Sequence, residues 1–193
     1  MKILKCENEE EFITLTATYL YNDKVVGWLD GPSEYGPRAL GARSILANPA
    51  RKDIKDHINQ KIKYREAWRP FAPIVLEEYY EDWFDLDRSA PYMLLSAQVE
   101  EHQRSIVPGI THEDGSSRPQ TVSSKQNPRI HRLLTEFYNQ TSCPMLLNTS
   151  FNAKEPIVET PQDAINTFIS TNLDVLAMGL YIIEKTEIKE YVN

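Results

Sequence analysis

The pattern that most restricts the fold is an alternation. Short β-branched or apolar runs are separated by amphipathic segments that open on helix-capping residues. Asn8-Glu9-Glu10-Glu11 places a capping Asn before three acids, which suit the positive end of a helix. Phe12, Leu15, Tyr19 and Leu20 then share one helical stripe. Asn48-Pro49, Asn127-Pro128 and Thr160-Pro161 repeat a second signal, a cap followed by proline in the first turn. The first predicts a helix to about Glu66 with Ile54, Ile58 and Ile62 on its buried side. The second leads into Ile130, Leu133, Leu134 and Phe137, the third into Ala164, Ile165, Phe168 and Ile169. Strand-like runs lie between: Lys24–Leu29, Ser44–Ala47, Ile74–Leu76, Tyr92–Val99, Pro144–Leu147 and Leu173–Glu184. Residues 77–91 read as an irregular excursion and 100–120 as a polar loop. Strands alternating with helices predict one α/β (α+β) layered domain with a parallel or mixed sheet. A chain of 193 residues can build that core without disulfide staples.

Charge narrows the partners. The chain carries a net charge of −7, yet between Arg38 and Arg69 nine basic residues face only three acidic ones. One cationic island on an acidic chain suits a small anionic ligand better than a long polyanion, which argues against nucleic acid. A solvated helix face is the plainer reading of the same island. No apolar run reaches the ~18 residues of a membrane helix, so no membrane association is expected. Cys6 and Cys143 exclude a disulfide framework and fit a reducing cytoplasm. With four scattered His residues they give no metal-ligand spacing, and no metal site is expected.

Four segments could carry chemistry. Glu34-Tyr35-Gly36-Pro37-Arg38-Ala39-Leu40-Gly41, followed by Arg43-Ser44, offers two guanidinium forks for phosphate oxygens in a glycine-rich turn. It matches neither phosphate-loop fingerprint, so side-chain cations must do the binding. A surface turn with an Arg paired to Glu34 is the alternative. Lys61 to Pro70 ends the expected long helix. Helical spacing puts Lys61 and Arg65 on one face and Lys63 on another, with Arg69 beyond the helix. A basic C-terminal turn that complements the helix dipole is the alternative there. Thr111 to Thr121 is a polar loop holding His112 and Arg118. Asn148-Thr149-Ser150-Phe151-Asn152 reads as a turn after a buried strand, the end of a strand where α/β sheets collect ligands. Ordinary turn chemistry explains these last two segments equally well. Ser150 stands in no nucleophile elbow, and Cys143 reads as inert packing.

Taken together these motifs resemble the C-terminal domain of the NodU/CmcH-type O-carbamoyltransferases. The likeness rests on Glu34 to Gly41 with Arg43 to Leu46, Lys61 to Glu66 with Arg69 to Pro73, Asp114-Gly115 with Arg118 and Gln120 to Val122, and Asn148 to Asn152 with Pro156 to Val158. It spans about Val25 to Ile183. The sequence departs from the family pattern at Pro32-Ser33 and is one residue shorter between Asn152 and Pro156. The resemblance implies a YrdC-like domain over residues 1–193, a twisted mixed sheet flanked by helices around a basic cavity. It implies binding of carbamoyl phosphate and of ATP with Mg²⁺, and formation of carbamoyladenylate. A separate N-terminal actin-like ATPase-fold domain, in cis or in trans, would pass the carbamoyl group to an acceptor hydroxyl. The motifs for that domain lie outside these 193 residues, so the chain reads as a fragment or as a module needing a partner. Carried over by position, the ligand residues are Arg38, Arg43, Lys63, Arg69, Arg118, Asn148 and Ser150, with Lys63, Arg69 and Ser150 in the catalytic role. A non-catalytic nucleotide-binding or RNA-binding YrdC-like module is the competing expectation.

Overall fold

The computed structural model of the chain describes residues 1–186. In chain order the strands are β1 (Lys2–Lys5), β2 (Val26–Leu29), β3 (Arg43–Ala47), β4 (Ala72–Leu76), β5 (Phe84–Asp85), β6 (Ala97–Val99), β7 (Ser116–Ser117), β8 (Gln120–Val122), β9 (Met145–Ser150), β10 (Val175–Met178) and β11 (Tyr181–Glu184). The helices are α1 (Glu9–Tyr21), α2 (Ile54–His57), α3 (Pro128–Thr141) and α4 (Pro161–Ser170). Eight strands form one mixed sheet in the order β1-β11-β10-β2-β3-β9-β4-β8, and β5-β6-β7 form a small antiparallel sheet. Only β10–β2 and β4–β8 pair in parallel within the large sheet. Strands β2, β3 and β4 are buried along their whole length, as expected of strands covered on both faces. No helix among the described residues is long and apolar enough to cross a membrane.

The capping signals act as the sequence requires. Asn8 Oδ1 accepts from the Glu11 amide at 2.9 Å, and Asn127 Oδ1 from the Ile130 amide at 3.2 Å. Thr160 and Asp163 form a reciprocal capping box. Helices α1 and α3 pack against each other, α3 against β4 and β9, and α4 against β2 and β10. The stripe Ile130, Leu133, Leu134 and Phe137 is fully buried. In α4 the buried residues are Ala164, Thr167 and Phe168, while Ile169 faces solvent, contrary to the expected stripe.

The long helix expected over 48–66 is largely absent. Residues 49–53 form turns instead. The Pro49 carbonyl accepts from the Gly109 amide at 2.9 Å, and Arg51 is drawn to Asp53 and to the Asp23 carbonyl. A β-carbon on Gly109 would stand 2.8 Å from the Pro49 oxygen, so this close approach requires glycine. One α-helical turn, α2, then widens into a π-helical turn over Ile58–Ile62. Ile54, Ile58 and Ile62 are nevertheless all buried. Two further segments differ from expectation. Only Ala97–Val99 of the run from Tyr92 is strand, and the 100–120 loop contains β7 and the start of β8. Strand β9 continues through Ser150, so Asn148 lies between β3 and β4 and not in a turn.

Candidate functional site

Four chain segments meet at one end of β9. The first is the β2–β3 connection. Glu34 Oε1 accepts from the amides of Leu40 at 2.7 Å, Ala42 at 2.5 Å and Arg43 at 3.3 Å. The carboxylate therefore organises the loop and forms no ion pair with Arg38, although the turn from Tyr35 to Arg38 is exposed. Arg43 is 5% exposed and acts as a buckle. Its guanidinium donates to the carbonyls of Asp30, Gly31 and Ala42 at 3.0 Å each, and to that of Glu159 at 3.2 and 3.1 Å. Gly41 has φ +107°, and a β-carbon there would press on Asn127 and Ile130. The loop thus holds its shape internally and leaves Arg38 at the cavity wall.

The π-helical turn supplies the second segment. The Lys63 amide reaches back to Ile58 at 2.8 Å and the Arg65 amide to Asn59 at 2.9 Å. Tyr64 between them adopts φ +49°, a left-handed conformation uncommon outside glycine and asparagine. This geometry overrides the 100° helical rotation that would set Lys61 beside Arg65. Lys61 faces solvent, while Lys63 is 3% exposed and turns inward. Lys63 Nζ donates to the Ser150 carbonyl, to Ser150 Oγ at 3.1 Å and to Asn152 Oδ1 at 2.6 Å. Burial first, and then the Arg65 guanidinium, push its pKa down to about 7. Arg65 is steadied by Asn59 Oδ1 at 2.7 Å and by the Phe71 ring at 5.0 Å.

The third segment, between β7 and β8, brings Arg118. Its Nε is buried without a hydrogen-bond partner, and burial and the nearby Arg38 both lower its pKa. The fourth is β9 itself, with Asn148, Thr149 and Ser150. Together these segments line a cavity of about 130 Å³, with Arg38, Arg65, Arg118, Asn148 and Ser150 on its wall. No salt bridge among the described residues involves Arg38, Lys63, Arg65 or Arg118. Convergent cations with no carboxylate between them repel, and a bound anion offsets that repulsion. Among the described residues no three His, Cys, Asp or Glu side chains are grouped to hold a metal.

Of the seven residues expected to bind ligand, Arg38, Arg118, Asn148 and Ser150 line the cavity, and Lys63 supports it from behind Ser150. Arg43 does not reach it. Arg69 points outward, paired with Glu66 at 2.8 Å over the exposed Trp68 ring. Arg65 and Asn152 are additions. Helical spacing hid Arg65, because neither the π-turn nor a left-handed tyrosine has a local sequence signal. Asn152 lies in the turn beyond β9, and no local sequence signal ties its side chain to Lys63 Nζ. On the other side of Pro70 lies a larger groove of about 570 Å³, lined by Lys52, Lys55, Trp68, His112 and Asp114.

The family model described as the carbamoyltransferase C-terminus matches residues 17–185. Nodulation protein NolO of Bradyrhizobium diazoefficiens is 44% identical over 186 residues, covering 94% of this chain and 34% of that protein. The chain thus spans about a third of the length of the curated relatives it matches. Full-length HypF, solved in its phosphate- and nucleotide-bound form, superposes with a TM-score of 0.56 at 15% identity over 91% of this chain and 24% of that one. Sua5 of P. abyssi, complexed with L-threonine, gives 0.56 at 14% identity over 83% of this chain and 44% of its own. At those identities the likeness concerns the fold, which is the YrdC-like one expected.

Proposed function

The chain belongs to the carbamoyltransferase C-terminus family, and from that premise we propose that its cationic cavity holds carbamoyl phosphate and, with ATP, forms carbamoyladenylate for transfer to an acceptor hydroxyl. One observation carries the reading. Three guanidinium groups and the Ser150 hydroxyl surround about 130 Å³ of space with no carboxylate among them. That volume suits a compact dianion and is too small for a nucleotide. Arg38, Arg65 and Arg118 would grip the phosphoryl oxygens, each charge-assisted bond contributing about 1.5–3 kcal/mol. Lys63 would fix Ser150 and Asn152 at the reacting end. Positioning and preorganised positive charge supply most of what phosphoryl chemistry asks of a protein.

The nucleotide needs more room, and the groove beside Pro70 offers it, with Trp68 as a surface for a base and Lys52 and Lys55 for phosphates. Mg²⁺ would arrive on the ATP phosphates. Atom balance for carbamoyladenylate requires one water and releases phosphate and pyrophosphate. Full-length HypF, which shares this fold over 24% of its length, was solved in a phosphate- and nucleotide-bound form, and that agrees with such ligands. The acceptor step falls to the portion of the longer relatives that this chain does not span, an N-terminal domain in cis or in trans.

The test is carbamoyl phosphate-dependent exchange of labelled pyrophosphate into ATP, run beside direct binding of carbamoyl phosphate to the chain. Binding and exchange are both expected, and Arg118→Ala should abolish them with folding intact, since Arg118 Nε has no partner within the protein. Absence of carbamoyl phosphate binding by the folded wild-type chain would overturn the reading.

A further inference from the structure

One run of chain, Arg65 to Phe71, separates the cavity from the larger groove. Arg65, Pro70 and Phe71 line the cavity, and Ala67, Trp68 and Pro70 line the groove. The run contains no helix or strand, so its shape depends on bonds from elsewhere. Asn59, in the π-helical turn, supplies them from a side chain with no exposed surface. Its Nδ2 donates to the carbonyls of Ala67 and Arg69 at 3.0 Å each, and its Oδ1 accepts from Arg65 Nε at 2.7 Å. Its backbone carbonyl accepts from the Arg65 amide at 2.9 Å, across the left-handed step at Tyr64. A carbonyl only accepts and Nε only donates, so the orientation of the carboxamide is determined and both its ends are engaged. The bond from Nε is the one hydrogen bond that the Arg65 guanidinium makes among the described residues. A carboxylate in place of this amide would pair with the guanidinium and offset the charge on which an anion depends. It would also turn an oxygen towards two carbonyls. The carboxamide orients the cation without neutralising it.

We propose that Asn59, which lines neither space, is a positioning residue for anion binding: it fixes the partition between cavity and groove and holds Arg65 by Nε so that both Nη groups are left for the ligand. The inference rests on the reading of the cavity as an anion site and extends it to a residue outside its wall. A guanidinium fixed in advance has lost its rotamer freedom before the ligand arrives, so less of the binding energy goes into ordering it. The Phe71 ring, 5.0 Å from the guanidinium, limits its motion on another side. Asn59 is thus expected to act on affinity through Arg65 and through no other cation of the cavity.

The test is a double-mutant cycle read by sulfate binding in calorimetry, run at pH 6, where Lys63 is mostly charged with or without the anion. Asn59→Ala and Arg65→Met should each weaken sulfate about tenfold, and the double variant should match Arg65→Met to within about a factor of two. A merely structural Asn59 would weaken sulfate in both backgrounds, and that result would overturn the inference. So would an unchanged affinity in Asn59→Ala. A second readout needs no variant to fold. In the isotope-labelled wild-type chain the Arg65 Nε–H, assigned through its own side-chain carbons, should give a nitrogen–proton resonance that persists at pH 8, because a buried acceptor protects it from exchange. An Arg65 Nε–H that exchanges as fast as those of exposed arginines would overturn the inference and leave the anion site standing. Failure of sulfate to bind the folded wild-type chain would overturn the anion reading together with the inference.

Discussion

Anion binding at this site should be coupled to proton uptake by Lys63. Burial and the Arg65 guanidinium push its pKa from the ordinary 10.5 down to about 7, against a smaller opposing pull from Glu155. At pH 8 such a group is about nine-tenths neutral. An anion held against Ser150 lies next to the Nζ that donates to Ser150, and opposite charge favours the ammonium. Sulfate is the right probe, because it does not titrate in this range. Binding should take up ~0.9 proton at pH 8 and ~0.1 at pH 6, read by calorimetry in two buffers of different ionisation enthalpy. Lys63→Met should remove the uptake. The same shift fixes the sign of a stability effect. Between pH 7 and 10.5 the unfolded chain binds more protons at Lys63 than the native state does, so the ligand-free wild type gains stability as pH rises. Below pH 7 the cost of burying the charge is present in full. Relative to Lys63→Met the gain should reach ~1.4 kcal/mol per pH unit within that window. A wild-type uptake at pH 8 exceeding that of Lys63→Met by less than about 0.2 proton would refute the argument.

Two other substitutions probe the scaffold around the cavity. Glu34→Ala leaves three loop amides without their acceptor and should cost about 1–3 kcal/mol in denaturant unfolding, with weaker sulfate binding because Arg38 loses its support; Glu34→Gln keeps an acceptor oxygen and should retain most of both. Gly27→Ala places a β-carbon 2.6 Å from Phe151 Cζ. It should cost about 1–3 kcal/mol in thermal unfolding and lower anion affinity as well, since Phe151 follows Ser150.

Much of the fold was legible because caps and stripes are local. Asn8, Asn127 and Thr160 each open a helix where their side chains predict it, and the stripe from Ile130 to Phe137 is buried throughout. The exceptions arise where distant residues compete with local preference. Pro49 carries a helix-start signal, yet its carbonyl is claimed by Gly109, sixty residues away in sequence. Ser150 was legible as polar chemistry at a strand end, but β9 extends further than its apolar run because β3 pairs with it as far as Ser150. Arg38 and Arg118 were found through their motifs, whereas Arg43, read from the same motif, serves the loop carbonyls. Residue type alone does not separate a guanidinium that binds a ligand from one that buckles a turn.

The widened turn over Ile58–Ile62 makes chain length a determinant of the site. A π-turn holds one residue more than the α-turn it replaces, so losing a single residue there would restore regular helix pairing and please every local preference. It would also swing Lys63 by about 100° around the helix axis, away from Ser150. A deletion that looks conservative in composition, and favourable by helix propensity, would disarm the pocket without touching any residue that lines it.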